Sequence, residues 1–545
     1  MAKIALGLDY GTNSVRALAV DVATGEELAT AVFDYPSGEA GILLDSNDPH
    51  LARQNPGDYL AGFVAVVRAV GGQVDLGQVV GIGVDTTGSS PLPVRSDNTP
   101  LAADDRFKDD LGAYVWLWKD HTSFAEAAEI TAAAQKQGQP YLAKCGGTYS
   151  SEWFWSKLLR FARSSPAAFA ETASWVEICD WIPAVLCGVS DPRAIKRSRC
   201  AAGHKAMFEE EWGGLPSAAF LASLDPRLGE FRDQLYDAVY TSDQIAGHLS
   251  EEYATLTGLP AGIPVAVGAF DAHVGAVASM ARPGTLVKIV GTSTCDCMVH
   301  PPDDPLPDVP GMCGIVRGSI LPGFYGLEAG QSAVGDIFGW AARLTGRSHD
   351  ELTEEAAQLK PGESGLLVLD WHNGNRTVLV DPLLSGLIVG LSLHTKPAEI
   401  YRACIEATAF GALRIIEQME QYGVRVEDVV ACGGIADKSP LTMQIYADVL
   451  ERPVAIARSG QTCALGSAIF GAVVGGAYAT AGEAQANMAG VRETVYLPNP
   501  AAFEVYRELY GLYRDLHDAF GTRDIEQNLF HVMKRLKSLQ ERQNG

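Results

Sequence analysis

The sequence predicts an α/β protein with two similar domains, each a mixed sheet flanked by helices, that face one another across a cleft. At 545 residues the chain is too long for one ordinary hydrophobic core. Short apolar segments that end in small polar residues alternate with helical patterns, as is typical of sheets covered on both faces. A strand–turn–strand pattern with a Gly- and hydroxyl-rich turn occurs early in each half, as DYGTNS at 9–14 and GTST at 291–294. This repetition indicates two related domains.

The chain begins with a predicted β-meander. Apolar runs indicate strands at 4–9, 15–22 and 28–33. The first strand ends in Asp9, and the turn after it contains Thr12, Asn13 and Ser14. Backbone amides in such a turn can form a nest that binds an anion, and the hydroxyls add further donors. An ordinary hairpin turn has the same pattern, so these residues alone leave the question of a phosphate site open.

The next segments place polar and aromatic residues after buried strands. A strand at 79–84 is followed by the polar turn DTTGSS at 85–90, and seven of the nine tryptophans fall between 116 and 212. A tryptophan such as Trp118 can stack on the apolar face of a sugar, although core packing explains most indoles. Lys205 can neutralise an anion or donate to a hydroxyl, although a single lysine is usually a solvated surface group.

The stretch PVAVGAFDAHVGAVASM, residues 264–280, combines a short buried strand with a helix of small residues. Asp271 stands between them, just past the carboxyl end of the strand. Ligands of open α/β sheets collect at that end, and a carboxylate there can take a proton from a bound hydroxyl. Asp271 is equally suited to be a helix N-cap, a role that Asp often fills. Its surroundings therefore decide between a structural and a catalytic role.

The second half repeats the order strand, turn, strand, and its turn contains Gly291, Thr292 and Ser293. We expect the hinge between the halves near residues 282–284, where Arg-Pro-Gly interrupts both patterns. The part after residue 500 is helical and charged, which suits packing on the outside or self-association. The predicted units are 1–283, 284–500 and a C-terminal helical extension at 501–545.

Two further segments of the second half carry candidate site residues. GLEAGQSAVGDIFGW at 326–340 is predicted to form a loop that carries Glu328, followed by a helix. A strand at 426–431 is followed by Gly433 and Gly434 ahead of another helix. Glycines at such a position let a flat ring approach the backbone closely.

Composition argues against several classes of function. The formal net charge of −24 repels nucleic-acid backbones and anionic lipid surfaces, so neither partner is expected. The ten cysteines are irregularly spaced, which predicts reduced thiols in a cytoplasmic protein rather than a zinc site. The start MAKIALGLDYG enters a strand at once, so no signal peptide is expected. The uncharged, Ala- and Gly-rich segment 463–482 is predicted to pack inside a domain and not to span a membrane.

Together the motifs resemble the FGGY carbohydrate kinases of the actin-like ATPase superfamily. The resemblance extends to about residue 495 and is strongest in WKDHT (118–122), YSSEWFWSK (149–157), CDWIPAVL (179–186), RCAAGHK (199–205), WGGLP (212–216), GAFDAHVGAV (268–277), VKIVGTSTCD (287–296) and GLEAGQSAVGDIFGW (326–340). The two hydroxyl-rich turns specify only the superfamily, whereas the tryptophan-rich segments resemble the branch that phosphorylates the ketopentose L-ribulose. The resemblance implies two actin-like (ribonuclease H-like) domains with the active site in the cleft between them.

The resemblance also implies a role for each candidate residue. Asp271 is the general base, Asp9 helps to hold Mg²⁺, and the substrates are a small sugar and ATP, in a protein that can form a homodimer. The other implied contacts are Thr12, Asn13, Ser14, Gly291, Thr292 and Ser293 for the phosphates, Gly433 and Gly434 for adenine, and Ser90, Trp118, Lys205 and Glu328 for the sugar. Relatives often have a basic and an amide residue where this chain has Asp437 and Ser439, so the adenine side departs from the family pattern.

Two alternatives remain open at this point. One keeps the reaction and changes the acceptor to another pentulose or pentitol, such as D-ribulose, xylulose or ribitol. The other is an actin-like ATPase without a sugar substrate, which would have no use for the acceptor-side groups Asp271, Lys205 and Glu328. A P-loop kinase and a serine hydrolase are disfavoured because the sequence has neither GK[ST] nor G-x-S-x-G.

Overall fold

The computed structural model describes residues 3–523 and 528–544. The strands of the first half are β1 (Ile4–Tyr10), β2 (Ser14–Asp21), β3 (Glu27–Asp34), β4 (Leu43–Asp45), β5 (Asp48–Gln54), β6 (Val79–Thr86), β7 (Pro91–Val94), β8 (Val115–Trp116), β9 (Ser174–Glu177), β10 (Arg197–Ser198), β11 (Val239–Tyr240), β12 (Ile245–His248), β13 (Pro264–Ala266) and β14 (Ala269–Phe270). Those of the second half are β15 (Thr285–Val290), β16 (Thr294–His300), β17 (Gly314–Arg317), β18 (Tyr325–Ala329), β19 (Leu367–Leu369), β20 (Leu387–Val389), β21 (Asp428–Cys432), β22 (Val454–Ala457) and β23 (Val491–Tyr496).

Helices separate most of these strands. In the first half they are α1 (Pro56–Gly71), α2 (Phe124–Gln137), α3 (Phe154–Ser164), α4 (Pro166–Ala170), α5 (Ile178–Leu186), α6 (Arg199–Lys205), α7 (Ala218–Leu224), α8 (Pro226–Phe231), α9 (Glu251–Thr257) and α10 (Asp271–Ala278). In the second half they are α11 (Gly335–Thr345), α12 (His349–Ala357), α13 (Pro397–Gln421), α14 (Gly434–Lys438), α15 (Pro440–Leu450), α16 (Thr462–Val474), α17 (Ala481–Met488), α18 (Pro500–Gly521) and α19 (Val532–Asn544).

Each half builds one large mixed sheet, and the two sheets have the same plan. The first has the order β12-β13-β6-β1-β2-β3, with β14 beside β6, and the second has the order β17-β18-β16-β15-β21-β22-β23. In both, the opening hairpin is antiparallel, the first strand pairs in parallel with a later strand, and the far edge is antiparallel. This shared plan explains the repeated strand–turn–strand pattern of the sequence. The predicted α/β architecture with two sheet-containing domains flanked by helices is confirmed.

Two helices lie between the sheets. Val274 of α10 and Leu465 of α16 belong to one buried apolar cluster together with Val20 of the first sheet and Val430 of the second. Helix α16 comes from the second half of the chain, yet it packs on β1 and β6 of the first sheet and beside α10. The inner layer of the molecule is therefore formed by both halves.

Glycines allow α16 to lie unusually close to the first sheet. A Cβ on Gly83 of β6 would stand 1.8 Å from the carbonyl oxygen of Ser467, and one on Gly471 of α16 would stand 2.9 Å from the amide nitrogen of Gly83. These contacts explain the uncharged, glycine-rich segment at 463–482, which was predicted to pack inside a domain. Among the described residues, no helix combines the length and apolarity that crossing a membrane requires.

The helix that follows residue 500 contributes to a core. Tyr506, Leu509 and Tyr513 of α18 are buried in the apolar cluster of the second sheet, and the Tyr513 hydroxyl donates to Asp370 Oδ1 at 2.7 Å. This part of the chain thus packs inward on one face. The boundaries at 283 and 500 stay predictions, and residues 1–2, 524–527 and 545 of the predicted units lie outside the described residues.

Candidate active site

Three carboxylates meet at the carboxyl edge of the first sheet. Asp9 near the end of β1 lies opposite Asp85 of β6 in register, and Ala269, two residues before Asp271, also pairs with Asp85. Ser467 of α16 donates its hydroxyl to Asp85 Oδ2 at 2.6 Å. Burial raises the pKa of Asp9, and burial together with the neighbouring Asp9 raises the pKa of Asp85. The edge therefore concentrates acidic groups whose charge the protein leaves largely uncompensated.

Asp271 is the first residue of α10 and not its N-cap, because Phe270 occupies the cap position. The Asp271 Oδ1 atom accepts the amide hydrogen of Ala272 at 2.6 Å. Burial, and then the nearby charge of Asp9, raise the pKa of Asp271 to about 7. A carboxylate whose pKa lies near neutrality is well matched to accept a proton in catalysis. The capping alternative for Asp271 is thus removed.

Lys205 and Glu328 form a buried ion pair between the two halves of the chain. The Lys205 Nζ atom at the end of α6 donates to Glu328 Oε1 at 2.9 Å and Oε2 at 3.1 Å. Burial opposes the charge of both groups, but Lys205 holds the pKa of Glu328 well below its usual range, and Glu328 raises the pKa of Lys205. Glu328 lies on strand β18. The prediction of a loop at this residue was wrong because pairing with β16 and β17 extends a short apolar run between glycines.

Two histidines that the sequence analysis did not single out lie beside this pair. His204 Nδ1 and His273 Nε2 each lie 3.4 Å from Glu328 Oε2. Burial lowers the pKa of His273 to about 4, and burial with the adjacent His273 lowers the pKa of His204 well below its usual range. Both imidazoles are therefore neutral. Their nearness in sequence to Lys205 and Asp271 was the only sign in the sequence that these histidines belong to the site.

The same three side chains, His204, His273 and Glu328, offer ligand atoms within 4.8 Å of one another. Such a set can hold a transition metal in other proteins. Here the ammonium of Lys205 already donates to both oxygens of Glu328. The charge of the carboxylate is thereby compensated, and we assign no metal to this cluster.

Trp118 and Ser90 lie side by side at the end of β6. The Trp118 backbone amide donates to Ser90 Oγ at 3.1 Å, and its indole Nε1–H donates to Thr12 Oγ1 at 3.0 Å. Ser90 is fully buried, and its hydroxyl also pairs with that of Thr87 at 3.0 Å. Trp118 is half-buried. The indole is thus the accessible member of this pair, and Ser90 supports it from behind.

Lys157 is a further buried group that sequence reasoning missed, although it ends the YSSEWFWSK motif. Its Nζ atom donates to the carbonyl oxygens of Ser89 at 2.7 Å, Leu117 at 2.9 Å and Trp116 at 3.3 Å. Glu177 accepts the Ser90 amide at 2.7 Å on the same turn. Burial lowers the pKa of Lys157 to about 7. Lys157 therefore joins the two segments that carry Ser90 and Trp118.

Each hydroxyl-rich turn is closed by the amide of its glycine, across three residue steps in the first turn and two in the second. The Gly11 amide donates to Ser14 O at 3.0 Å, and the Gly291 amide donates to Ser293 O at 3.0 Å. Asn13 and Thr292 at the tips are exposed, and Thr12 is half-buried. Both turns thus leave hydroxyl or amide side chains accessible, and these can add donors to an anion-binding nest.

Gly433 and Gly434 follow β21 and begin the short helix α14. Gly433 has a φ of 95°, and a Cβ there would stand 2.7 Å from Val290 O. Gly434 is exposed, with no atom within 4 Å of a Cβ built on it. Asp437 forms an ion pair with Arg492, and Ser439 caps α15 through the Thr442 amide. These two departures from the family pattern thus have local structural partners.

Two family models match this chain. The model of the N-terminal domain of the FGGY family of carbohydrate kinases matches residues 4–278, and the model of the C-terminal domain matches residues 286–474. A protein named ribulokinase from Vibrio parahaemolyticus is 40% identical over 94% of this chain and 95% of its own length. A ribulokinase from Bacillus licheniformis is 41% identical over 97% of this chain and 98% of its own length.

Solved structures show the same fold. A xylulose kinase from Rhodospirillum rubrum superposes with a TM-score of 0.75 at 25% identity over 95% of this chain and 100% of its own. A ligand-bound xylulose kinase from Lactobacillus acidophilus gives 0.78 at 19% identity over 95% of this chain and 98% of its own. The fold is that of the actin-like sugar kinases. With both domain models matched along most of its length, this chain belongs to the FGGY family of carbohydrate kinases.

Proposed function

We propose that this carbohydrate kinase transfers the terminal phosphoryl group of ATP to the C5 hydroxyl of L-ribulose, giving L-ribulose 5-phosphate in arabinose catabolism. Relatives named ribulokinase that match almost the full chain at 40% and 41% identity support this acceptor. The observation that carries the proposal is Asp271, which begins α10 beside the acidic edge of the first sheet and has a pKa raised to about 7 by burial and by Asp9.

Asp271 acts as the general base. A primary alcohol is too weak an acid to ionise at neutral pH, so a carboxylate within hydrogen-bond reach takes its proton as the bond to phosphorus forms. Lys205 and Glu328 bind the remaining sugar hydroxyls, since the ammonium donates and the carboxylate accepts. Trp118 covers an apolar face of the sugar, supported by Ser90. The protein contributes position and charge, which is most of what phosphoryl transfer requires.

The nucleotide occupies the other side of the cleft. Thr12, Asn13 and Ser14 bind phosphate together with Gly291, Thr292 and Ser293, and the adenine lies against Gly433 and Gly434. Asp9 and Asp85 fit a Mg²⁺ ion, because this ion prefers oxygen ligands and the acidic edge lacks compensating charge. The ion would neutralise charge on the phosphates. Asp9, which is half-buried, would hold the ion directly or through water.

A panel of acceptors tests the proposal. ADP release is measured with L-ribulose, D-ribulose, D-xylulose and ribitol, and phosphorus NMR locates the new phosphate. L-Ribulose is expected to have the highest kcat/KM with the phosphate on C5. If another pentulose or pentitol is preferred, the reaction is the proposed one but the acceptor is a different sugar. If the rate of ATP hydrolysis is the same with and without sugar, the protein is instead an actin-like ATPase without a sugar substrate.

We also propose a cytoplasmic location and a homodimer for this protein. Irregularly spaced cysteines without a disulfide among the described residues suit a reducing compartment. Light scattering coupled to gel filtration measures the mass of the assembly. A mass of twice 58.0 kDa is expected.

A further inference from the structure

Trp118 contacts both Ser90, on the proposed sugar side of the site, and Thr12, in the first proposed phosphate-binding turn. Its backbone amide donates to Ser90 Oγ at 3.1 Å, and its indole Nε1–H donates to Thr12 Oγ1 at 3.0 Å. Trp118 and Thr12 are both half-buried, so each presents part of its surface outside this contact. A single residue therefore joins the two proposed substrate sites, and it lies 106 residues from Thr12 in the sequence.

The direction of the hydrogen bond orients the Thr12 hydroxyl. An indole N–H can only donate, so Thr12 Oγ1 is the acceptor and keeps its own hydrogen for a different partner. The Thr12 backbone is fixed as well, because its carbonyl oxygen accepts from Gln54 Nε2 at 2.6 Å. The hydroxyl hydrogen is thus directed away from the indole, and a phosphate oxygen bound in the loop is a suitable acceptor for it.

The backbone next to Trp118 is held by a buried lysine. Lys157 is fully buried and donates to the carbonyl of Leu117, the residue before Trp118, and to that of Ser89. A buried ammonium needs such acceptors, so this contact is costly to break. The backbone position of Trp118 is therefore fixed by the protein before any sugar binds, whereas the half-buried indole keeps rotational freedom that a sugar against its face restricts.

We infer that Trp118 is a positioning residue whose hydrogen bond to Thr12 couples sugar binding to nucleotide binding. This inference rests on the proposed function of the two sites. A sugar against the indole favours the orientation that directs the Thr12 hydroxyl toward the terminal phosphate. Because coupling between two ligands is reciprocal, a bound nucleotide must raise sugar affinity by the same factor by which sugar raises nucleotide affinity.

Calorimetry with L-ribulose and a non-hydrolysable ATP analogue tests the inference without turnover. Each ligand is titrated in the absence and the presence of the other. The native protein should show coupling of roughly 5- to 150-fold, the usual range for linked sites. Trp118→Phe keeps an aromatic face and removes the donor, and Thr12→Val keeps the shape and removes the acceptor. Each should reduce the coupling factor toward one, and the double variant should reduce it no further.

Two control variants separate this effect from general damage. Thr12→Ser keeps the hydroxyl and should retain the coupling. Trp212→Phe also removes an indole donor from a half-buried site, but that donor bonds to Met207 O at 3.0 Å, so native coupling is expected.

Independent binding of the two ligands in the native protein, native coupling in Trp118→Phe or in Thr12→Val, or additive effects in the double variant would each overturn the inference. Sugar-dependent ADP release by the native protein tests the proposed function separately. If the protein is an active kinase but its ligands bind independently, only the coupling inference is wrong. If the protein binds no sugar, both the inference and the proposed function are wrong.

Discussion

Asp9 and Asp85 stand opposite one another on the neighbouring parallel strands β1 and β6, and Asp271 directly follows β14, a third strand that also pairs with β6. Three acids at the ends of three adjacent strands repel one another, and burial strengthens the repulsion. This crowding distinguishes Asp271 from an ordinary helix-start aspartate. Its catalytic consequence can be measured directly.

Replacing Asp271 by Asn should remove the base and keep the shape of the site. We expect kcat to fall by about 10²- to 10⁴-fold, with a much smaller change in sugar affinity. Steady-state kinetics gives the first quantity and calorimetry the second. Asp191→Asn, at an exposed loop residue, is the matched control and should have native kinetics. Near-native turnover of Asp271→Asn would remove this residue from the mechanism.

Activity and stability should depend on pH in opposite directions. Burial and Asp9 raise the pKa of Asp271 to about 7, so kcat/KM should rise with pH through that region as the carboxylate loses its proton. A raised native pKa means that the folded state binds the proton more tightly than the unfolded state. The free energy of unfolding should therefore fall as pH increases from about 4 to about 8.

Urea unfolding and rate measurements over the same pH range test this pair of trends. In Asp271→Asn both slopes should be smaller, since the titrating group is gone. Asp9 and Asp85, whose pKa values burial also raises, keep part of the stability slope. If kcat/KM is constant from about pH 5 to about pH 8, Asp271 is not the general base.

Lys205→Met should destabilise the fold by about 3–5 kcal/mol, because it leaves the Glu328 carboxylate buried without its partner. The double variant Lys205→Met with Glu328→Gln should recover much of this loss, since neither charge remains. Urea unfolding at neutral pH measures both. Sugar binding should be lost in the single and the double variant alike, which separates the structural role from the binding role.

Lys157→Met should loosen the wall that carries Ser90 and Trp118. Misplacement of that wall is expected to raise the sugar KM by about tenfold to a hundredfold, because small errors in position are costly. The KM for ATP should change much less. Lys360→Met, at an exposed lysine on the far domain, controls for loss of a positive charge. Equal changes in both KM values would indicate general damage instead.

Gly83→Ala should destabilise the protein by about 1–3 kcal/mol, the usual cost of overpacking. The new methyl group would lie 1.8 Å from the Ser467 carbonyl, where backbone cannot easily move. Gly511→Ala is the same chemical change at an exposed position in the middle of α18, where no atom lies within 4 Å of the added Cβ. It should stabilise by about 0.5–1 kcal/mol, because alanine favours helix. Thermal unfolding should shift in opposite directions.

Local patterns predicted the features that depend on local chemistry. The strand that ends in Asp9, the two hydroxyl-rich turns and the strand before Asp271 all follow from apolar runs bounded by glycine and polar residues. The repeated hairpin also anticipated two sheets of one plan. These signals need only neighbouring residues, so a single sequence was sufficient for them.

Features that depend on distant partners were missed. Glu328 became part of a strand because β16 and β17 pair with it on both sides. Lys157 was not singled out, since its three carbonyl acceptors lie 40 or more residues away in the sequence. The sequence showed Asp85 only as one acid in a polar turn and did not show that it lies beside Asp9.

Helix α16 belongs to the second half of the chain but covers the sheet of the first half, and this limits where the chain can be divided. A fragment that stops at residue 283 would present β1 and β6 without the helix that covers them, leaving an open glycine-lined surface. The complementary fragment would carry an apolar helix with nothing to cover it. Separate expression of the two halves should therefore give material that aggregates, whereas mixing them during refolding gives each half the partner it lacks.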